Sequence, residues 1–141
     1  MTRKCNLRIF HFVRLAVINL PWPTLFFADK MPIICGGQDN NQNYLDLCQK
    51  YNPASDSWHQ IGTMPSARAA SASAYVENFG LVMAGGYNHD EGPMDSVIVT
   101  PDGSSFLSLA SLPAADYRGC LAVVDEQTLL LTGGSNRGAY L

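Results

Sequence analysis

Short apolar segments alternate with polar, turn-forming segments along most of this chain. Ala72 to Val76 and Leu81 to Ala84 are separated by a polar connection of hairpin length, and the same arrangement recurs at Cys120 to Val124 and Leu129 to Thr132. Small, apolar and β-branched residues in runs this short are typical of buried strands. No segment keeps a 3.6-residue apolar period over three turns. The pattern therefore predicts an all-β chain of antiparallel hairpins.

Two further strands are predicted before each of these hairpins. Proline with Asn, Asp or Gly joins the members of each pair, and these residues favour turns because they preset φ or tolerate turn conformations. The predicted pairs are Leu45 to Tyr51 with Ser57 to Ile61, and Asp95 to Val99 with Phe106 to Leu109.

The strand pattern is an internal repeat. Glycine pairs follow apolar strands at Gly36-Gly37, Gly85-Gly86 and Gly133-Gly134, in steps of 49 and 48 residues. Pro65 and Pro113 also lie 48 residues apart. A fixed period of this length indicates stacked supersecondary units, each of which needs a neighbour to cover its apolar face.

The first unit resembles the kelch repeat. After the apolar strand and its glycine pair come an aromatic, a tryptophan, a Met-Pro step and an arginine: Tyr51, Trp58, Met64, Pro65 and Arg68. The second unit departs from this pattern, with Val99, Phe106 and Asp116 in place of the tyrosine, tryptophan and arginine. The resemblance covers about Pro23 to Leu141.

The resemblance implies a β-propeller, in which each unit is a four-stranded antiparallel blade. We expect an all-β, partial kelch-type propeller that this chain alone does not close. The expected divisions are a non-repeat N-terminal extension at 1–22, a first blade at 23–62, a second at 63–110 and a truncated third at 111–141.

The same resemblance implies binding through loops on one face of the propeller. Side-chain amides in the first loop suit hydrogen bonds to a peptide backbone, the second loop is acidic, and the two arginines suit a carboxylate or a structural pairing between blades. Solvated turn residues are the alternative for both loops. The predicted partner-binding residues are Gln38, Asp39, Asn40, Asn41, Asn43, Arg68, Asn88, His89, Asp90, Glu91, Tyr117 and Arg118.

The four cysteines show no CxxC spacing, so neither a thiolate zinc site nor a dithiol redox motif is indicated. Cys35 and Cys48 fall on adjacent predicted strands, where either a disulfide or two buried thiols is sterically feasible. The compartment stays open, because the sequence does not reveal whether these two cysteines are bonded. A cytoplasmic location is favoured for free thiols and an extracellular one for a bonded pair.

Charge and the N-terminus exclude some partners. The formal net charge is −3, without the basic excess that binding to nucleic acid needs. The N-terminal basic residues precede an apolar stretch, Leu15 to Phe27, which Pro21 and Pro23 interrupt. It is shorter than the roughly 20 residues of a membrane-spanning helix, and a secretory signal is disfavoured.

The expected function is a scaffold that binds another protein or a peptide. We predict no enzyme activity, no cofactor, no metal site and no catalytic residue. Two alternatives stay open: a fragment of a galactose-oxidase-like copper enzyme, and a truncated, non-functional product. Against the copper enzyme, His11, His59 and His89 have no ligand spacing.

Overall fold

The computed structural model describes residues 21–125, 127–136 and 139–140, with side chains for all of these except 139–140. The predicted N-terminal extension lies outside the described residues apart from Pro21 and Trp22, and so does His11. The described residues contain strands, turns and bends and no helix that could cross a membrane.

The first sheet is a simple antiparallel meander of four strands in the order β1-β2-β3-β4. Residues on β1 alternate: Phe26 is buried against the second sheet, while its neighbours Leu25 and Phe27 are exposed. Such alternation is what a strand with one covered face requires. The strands are β1 (Thr24–Ala28), β2 (Met31–Cys35), β3 (Leu47–Asn52) and β4 (Ser57–Thr63).

The second sheet also has four antiparallel strands, in the order β10-β9-β6-β5. Every residue of β6 and β9 is buried, because these central strands are covered on both faces. A small hairpin, β7 with β8, projects from the loop between β6 and β9. The bounds are β5 (Ala72–Val76), β6 (Gly80–Ala84), β7 (Tyr87–Asn88), β8 (Gly92–Pro93), β9 (Val97–Thr100) and β10 (Leu107–Ser108).

The third sheet has three strands in the order β11-β12-β13. Its strands are β11 (Tyr117–Asp125), β12 (Thr128–Asn136) and β13 (Ala139–Tyr140). β12 is longer than the predicted segment, which ended at Thr132, because pairing continues past the glycine pair to Ser135, opposite Tyr117.

The three sheets pack face to face in chain order. Phe26, Ile33 and Met64 from the first sheet and its exit meet Leu81 and Met83 of the second. The other face of the second sheet packs against the third through a cluster whose members are Val82, Ala84, Val97 and Val99, with Leu121 and Leu129 against them. The prediction of an all-β partial propeller built of antiparallel blades is confirmed, and the described sheets do not close into a ring.

The glycine pairs allow the next unit to approach closely. All six glycines have positive φ, as their position at a strand exit predicted. A Cβ at Gly36 or Gly85 would collide with the carbonyl oxygen of Arg68 or Asp116, respectively. Beside these contacts, Gly37 N–H donates to the Arg68 carbonyl (2.9 Å) and Gly86 N–H donates to the Asp116 carbonyl (2.8 Å). Each of the first two pairs is therefore a backbone junction between neighbouring sheets.

Candidate functional site

A groove of about 820 Å³ opens on the face where the loops after the glycine pairs lie. Three stretches form its walls: the β2–β3 loop, the β7–β8 hairpin and the start of β11. The lining residues are Trp22, Gln38, Gln42, Tyr44, Ala69, Ala70, Tyr87, His89, Asp90, Glu91, Gly92, Pro93, Tyr117 and Arg118.

Aromatic rings from all three walls meet in this groove. The Tyr87 ring centroid lies 5.7 Å from that of Tyr44, 5.3 Å from that of Tyr117 and 6.0 Å from that of His89. Tyr44 and His89 also meet edge to face at 4.9 Å. These separations and angles are those that aromatic side chains prefer. We call Tyr44, Tyr87, His89 and Tyr117 the aromatic cluster.

The surroundings of Tyr44 raise its pKa and so favour its protonated phenol. Burial raises the pKa of Tyr44, and the neighbouring Tyr87 and Tyr117 raise it further against the opposing charge of Arg118. A protonated phenol both donates and accepts hydrogen bonds. Tyr44 can therefore offer either role to a ligand in the groove.

Arg118 sits at one end of the groove, held by two rings. Its guanidinium carbon lies 5.4 Å from the ring centroids of both Trp22 and Tyr117, within the range of cation–π attraction. Arg118 is exposed to solvent and has its backbone in the left-handed region.

Trp22, Ala70 and Arg118 are equivalent positions of the repeat, each 48 residues after the last. All three have positive φ, between 54° and 62°. Ala70 N–H donates to the Trp22 carbonyl (3.2 Å) and Arg118 N–H donates to the Ala70 carbonyl (2.8 Å). We call this run of bonds from sheet to sheet the backbone ladder.

The acidic wall of the groove is a fixed turn. The Asn88 side-chain amide donates to the Ala67 carbonyl (2.7 Å), and its Oδ1 accepts from the Glu91 N–H (2.7 Å). Asn88 is buried and its side chain is committed to these bonds, so it supports the wall and does not face a partner. Asp90 and Glu91 are exposed at the tip of the β7–β8 hairpin.

The amide-rich loop is organised by one carboxylate. Asp39 accepts from the backbone N–H groups of Asn41 and Asn43 (2.8 Å each) and from the Asn43 side-chain amide (2.9 Å). These bonds, that of the Asn43 side chain first, lower the pKa of Asp39. Gln38 donates to the Gln42 carbonyl (2.9 Å). Asp39 and Asn43 thus shape the loop, and Gln38 lines the groove.

A disulfide closes the base of this same loop. Cys35 on β2 and Cys48 on β3 are direct cross-strand partners, bonded through their sulfurs, with their Cα atoms 4.1 Å apart. Both are buried. The link holds the ends of the segment that carries Gln38 and Tyr44, and so limits how far this wall of the groove can move.

Arg68 has a structural position. It is 1 % exposed, and its guanidinium donates to the carbonyls of Gly85 (3.1 Å) and Ser96 (3.4 Å) and to the hydroxyls of Ser66 and Ser96 (3.0 Å each). Burial lowers the pKa of Arg68, and the charge of Glu91 opposes that shift. In this conformation the guanidinium ties the first sheet to the second. Of the two roles open for this arginine, the structure shows the pairing between blades.

Asp116 takes the place of that arginine one repeat later. It is 2 % exposed, its carboxylate lies against Gly119 and Gly134, and its Oδ1 accepts no hydrogen bond from a described residue. Burial raises the pKa of Asp116, while the backbone N–H groups of Ser135 and Tyr117 oppose the rise. An unpaired buried carboxylate oxygen is costly when it is charged.

We expect Asp116→Asn to stabilise the chain at pH 7. A carboxyl whose folded-state pKa is raised above its ordinary value of 3.8 contributes stability that is full below that value and lost as the pH rises through the folded-state pKa. The amide carries no charge and removes this loss, with a gain of about 1 kcal/mol. Urea unfolding at pH 3.5 and pH 7 measures it, and the gain should be larger at pH 7.

Asp102→Asn is the matched control, because it should show the opposite pH dependence. The N–H of Ser104 first, and the groups of Ser105 with it, lower the pKa of Asp102. Its stability contribution is therefore present above the ordinary value and lost as the pH falls through the folded-state pKa. A gain at pH 7 in both variants would contradict the assignment for Asp116.

Six of the twelve predicted partner-binding residues line the groove, and eight further lining residues were not among the twelve, four of them with large polar or aromatic side chains. Those brought together are Gln38, His89, Asp90, Glu91, Tyr117 and Arg118. Asp39, Asn40, Asn41, Asn43, Arg68 and Asn88 do not line it, although Asn43 and Asn88 border a smaller cavity beside it. The additional side chains are Trp22, Gln42, Tyr44 and Tyr87. For Trp22, two 48-residue steps back from Arg118 were the available signal.

Histidine placement bears on the copper alternative. His59 lies on β4, beside the Ser57 hydroxyl (2.9 Å), while His89 belongs to the aromatic cluster. Among the residues that the structure describes, no three His, Cys, Asp or Glu side chains are grouped to hold a metal ion. Metal analysis of the purified protein is the direct test of that alternative.

Comparison with known proteins adds one match. The family model of the kelch motif matches residues 33–65, which cover β2, β3 and β4 and end at the Met-Pro step. No curated protein matches the chain.

Proposed function

Because this chain is a kelch-repeat protein, we propose that it binds a protein partner by gripping an extended segment of it in the groove described above. Kelch repeats are generally protein-interaction modules. The proposal assigns the contact to the aromatic cluster, to Arg118 and to the acidic hairpin tip. No chemical step is required of any of these residues.

The observation that carries the proposal is the meeting of the aromatic cluster with Arg118 in one groove. Tyrosine, tryptophan and arginine are the residues that most often dominate binding energy at protein interfaces, since they bury large areas and still offer hydrogen bonds. Trp22 is 53 % exposed, so its ring is accessible to a partner in the groove.

The groove is also rigid at its walls, which favours binding. The Asn88 bonds fix the acidic turn, Asp39 fixes the amide-rich loop, and the Cys35–Cys48 disulfide closes the base of that loop. A preformed site loses less conformational entropy when a partner docks. The bonded cysteines also favour an oxidising compartment for the interaction, because disulfides persist there.

The test begins with peptides selected from a displayed random library on the wild-type chain. We expect Tyr87→Ala and Arg118→Ala each to weaken binding of the selected peptides by about tenfold or more, as truncation of central interface residues does. Isothermal titration calorimetry of one synthetic peptide against each variant gives the dissociation constants.

Tyr75→Ala is the matched control for these variants. Tyr75 is an exposed tyrosine on β5 and does not line the groove, so its loss should leave the peptide affinity unchanged. Peptides that bind the two groove variants as tightly as the wild type would contradict the proposed site. Peptides that lose affinity only for Tyr75→Ala would move the binding surface to β5.

A further inference from the structure

A small cavity lies beside the groove, between the β2–β3 loop and the β7–β8 hairpin. Its volume is about 280 Å³, and it shares part of its wall with the groove. This is just below the roughly 300 to 1,000 Å³ of pockets that enclose whole small molecules, so the space suits a single side chain of a segment bound in the groove. We call it the side cavity, and its walls include Asn43, Tyr44, Asn88, His89 and Asp90.

The side cavity is acidic. Of the described residues that line it, Asp90 is the only one with a carboxylate, and none is a lysine or an arginine. Asp90 is exposed and makes no ion pair or hydrogen bond with another described residue. The side-chain nitrogen of Asn88 donates to the Ala67 carbonyl, and that of Asn43 donates to Asp39. The Asp90 carboxylate is therefore available to a ligand that donates hydrogen bonds and carries a positive charge.

Two rings of the aromatic cluster form part of the same wall. The rings of Tyr44 and His89 meet edge to face, with their centroids 4.9 Å apart and their planes at 83°. An aromatic face attracts a cation that lies within about 6 Å of its centroid. A carboxylate beside ring faces is complementary to the ammonium of lysine or the guanidinium of arginine, because the apolar stem of either side chain packs on the rings.

The opposite charge lies at the other end of the groove. The Arg118 guanidinium contacts the rings of Trp22 and Tyr117 and makes no ion pair with a described residue. The His89 centroid lies 6.0 Å from that of Tyr87. The Tyr117 centroid is 5.3 Å from that of Tyr87 and 5.4 Å from the guanidinium carbon. Extended chain advances about 3.3 Å per residue, so a bound segment reaches from His89 to the guanidinium in no more than about five residues.

We propose that the side cavity binds a lysine or arginine side chain of the partner segment, with its charge on Asp90 and its stem against Tyr44 and His89. The inference rests on the proposed function, since the segment must lie in the groove. Arg118 fixes the direction of the segment, because its charge repels a basic side chain at that end. The partner is thus an extended segment whose basic residue lies within about five residues of the one that contacts Arg118.

Peptides selected on the wild-type chain from a displayed random library test the inference. We expect them to share a lysine or arginine at one position. One synthetic peptide of the set is then titrated calorimetrically against two variants. Asp90→Asn should weaken its binding about threefold to fivefold, and Asp90→Lys about tenfold or more, because lysine places a like charge in the side cavity. Asp95→Asn is the matched control, since this exposed aspartate lines neither the groove nor the side cavity and its loss should leave the affinity unchanged.

A change in the peptide identifies the group that Asp90 contacts. Norleucine in place of the shared basic residue keeps an apolar stem and removes the charge, and it should weaken binding to the wild type at least as much as Asp90→Asn does. The norleucine peptide should then bind the wild type and Asp90→Asn equally, because the interaction between the two charges is already absent. A further loss of affinity in Asp90→Asn would overturn the inference, and so would selected peptides that share no basic residue.

Failure of this inference and failure of the proposed function give different results. If Tyr87→Ala and Arg118→Ala weaken binding but Asp90→Asn does not, the groove remains the binding site and the side cavity does not hold a basic side chain. If none of the three variants weakens binding, or if no peptide is selected, the proposed function is wrong and the inference with it. Circular dichroism checks that each variant keeps its β structure.

Discussion

Gly85→Ala should lower the free energy of unfolding by about 2 to 5 kcal/mol, among the largest effects of any single substitution in this chain. The backbone at Gly85 has φ of +63°, where an L side chain costs about 1 to 2 kcal/mol. A Cβ there would also collide with the backbone carbonyl of Asp116. Backbone cannot rotate away as a side chain can, so the sheets themselves must separate, which adds overpacking strain of about 1 to 3 kcal/mol.

Gly133→Ala separates these two causes. Gly133 is the repeat equivalent of Gly85 and has a similar φ of +69°, but a Cβ there meets no described atom within 4 Å. Its cost should be only the conformational one, about 1 to 2 kcal/mol. Urea unfolding of both variants is measured at a protein concentration low enough for light scattering to report a monomer. Equal losses of stability would show that the junction with Asp116 adds nothing.

The contrast between these two glycines also shows what the sequence can predict. A glycine pair at a fixed repeat spacing predicts a strand exit with positive φ and a close approach, because both needs exclude a Cβ. The sequence does not reveal whether a neighbour is present to make that approach. Gly85 has one and Gly133 does not, although their local sequences are alike.

The groove was harder to predict than the fold. Strand positions follow from local apolar patterns, so β5 was predicted to its exact bounds, and the loops were placed by the glycine pairs. Which loop side chains touch depends on the path of each loop. Tyr44 and Tyr87 meet across two units because the Asn88 bonds and the disulfide direct their loops toward each other, and no spacing in the sequence encodes that contact.

Arg68 and Asp116 show the same limit at a buried position. The repeat aligns them, yet Arg68 donates to four acceptors and leaves only its Nε–H without a partner among the described residues, whereas Asp116 keeps an unpaired carboxylate oxygen. The alignment of repeats predicts the backbone position of a residue, whereas the hydrogen-bond partners of its side chain come from the neighbouring sheet. Ser96, 28 residues further along the chain, completes the arginine site.

Arg68→Ala should destabilise the chain by about 3 to 5 kcal/mol, since it removes a large buried side chain together with the hydrogen bonds that it donates to Gly85 and Ser96. One effect opposes this: the buried guanidinium itself is costly, as the lowered pKa of Arg68 indicates. Arg68→Met separates the loss of packing from the loss of the charged group, because methionine keeps most of the side-chain volume and removes the guanidinium charge. We expect Met to cost about 1 to 3 kcal/mol, less than Ala.

Arg118→Ala is the control for Arg68→Ala, because it removes an arginine side chain from an exposed position. Arg118 is exposed and contacts only ring faces and solvent through its guanidinium among the described residues, so its loss should cost no more than about 1 kcal/mol. Thermal and urea unfolding of the three variants rank them. If Arg68→Met proves as stable as the wild type, the four hydrogen bonds merely offset the burial of the charge, and the junction of the first two sheets depends on packing and on the glycine backbone alone.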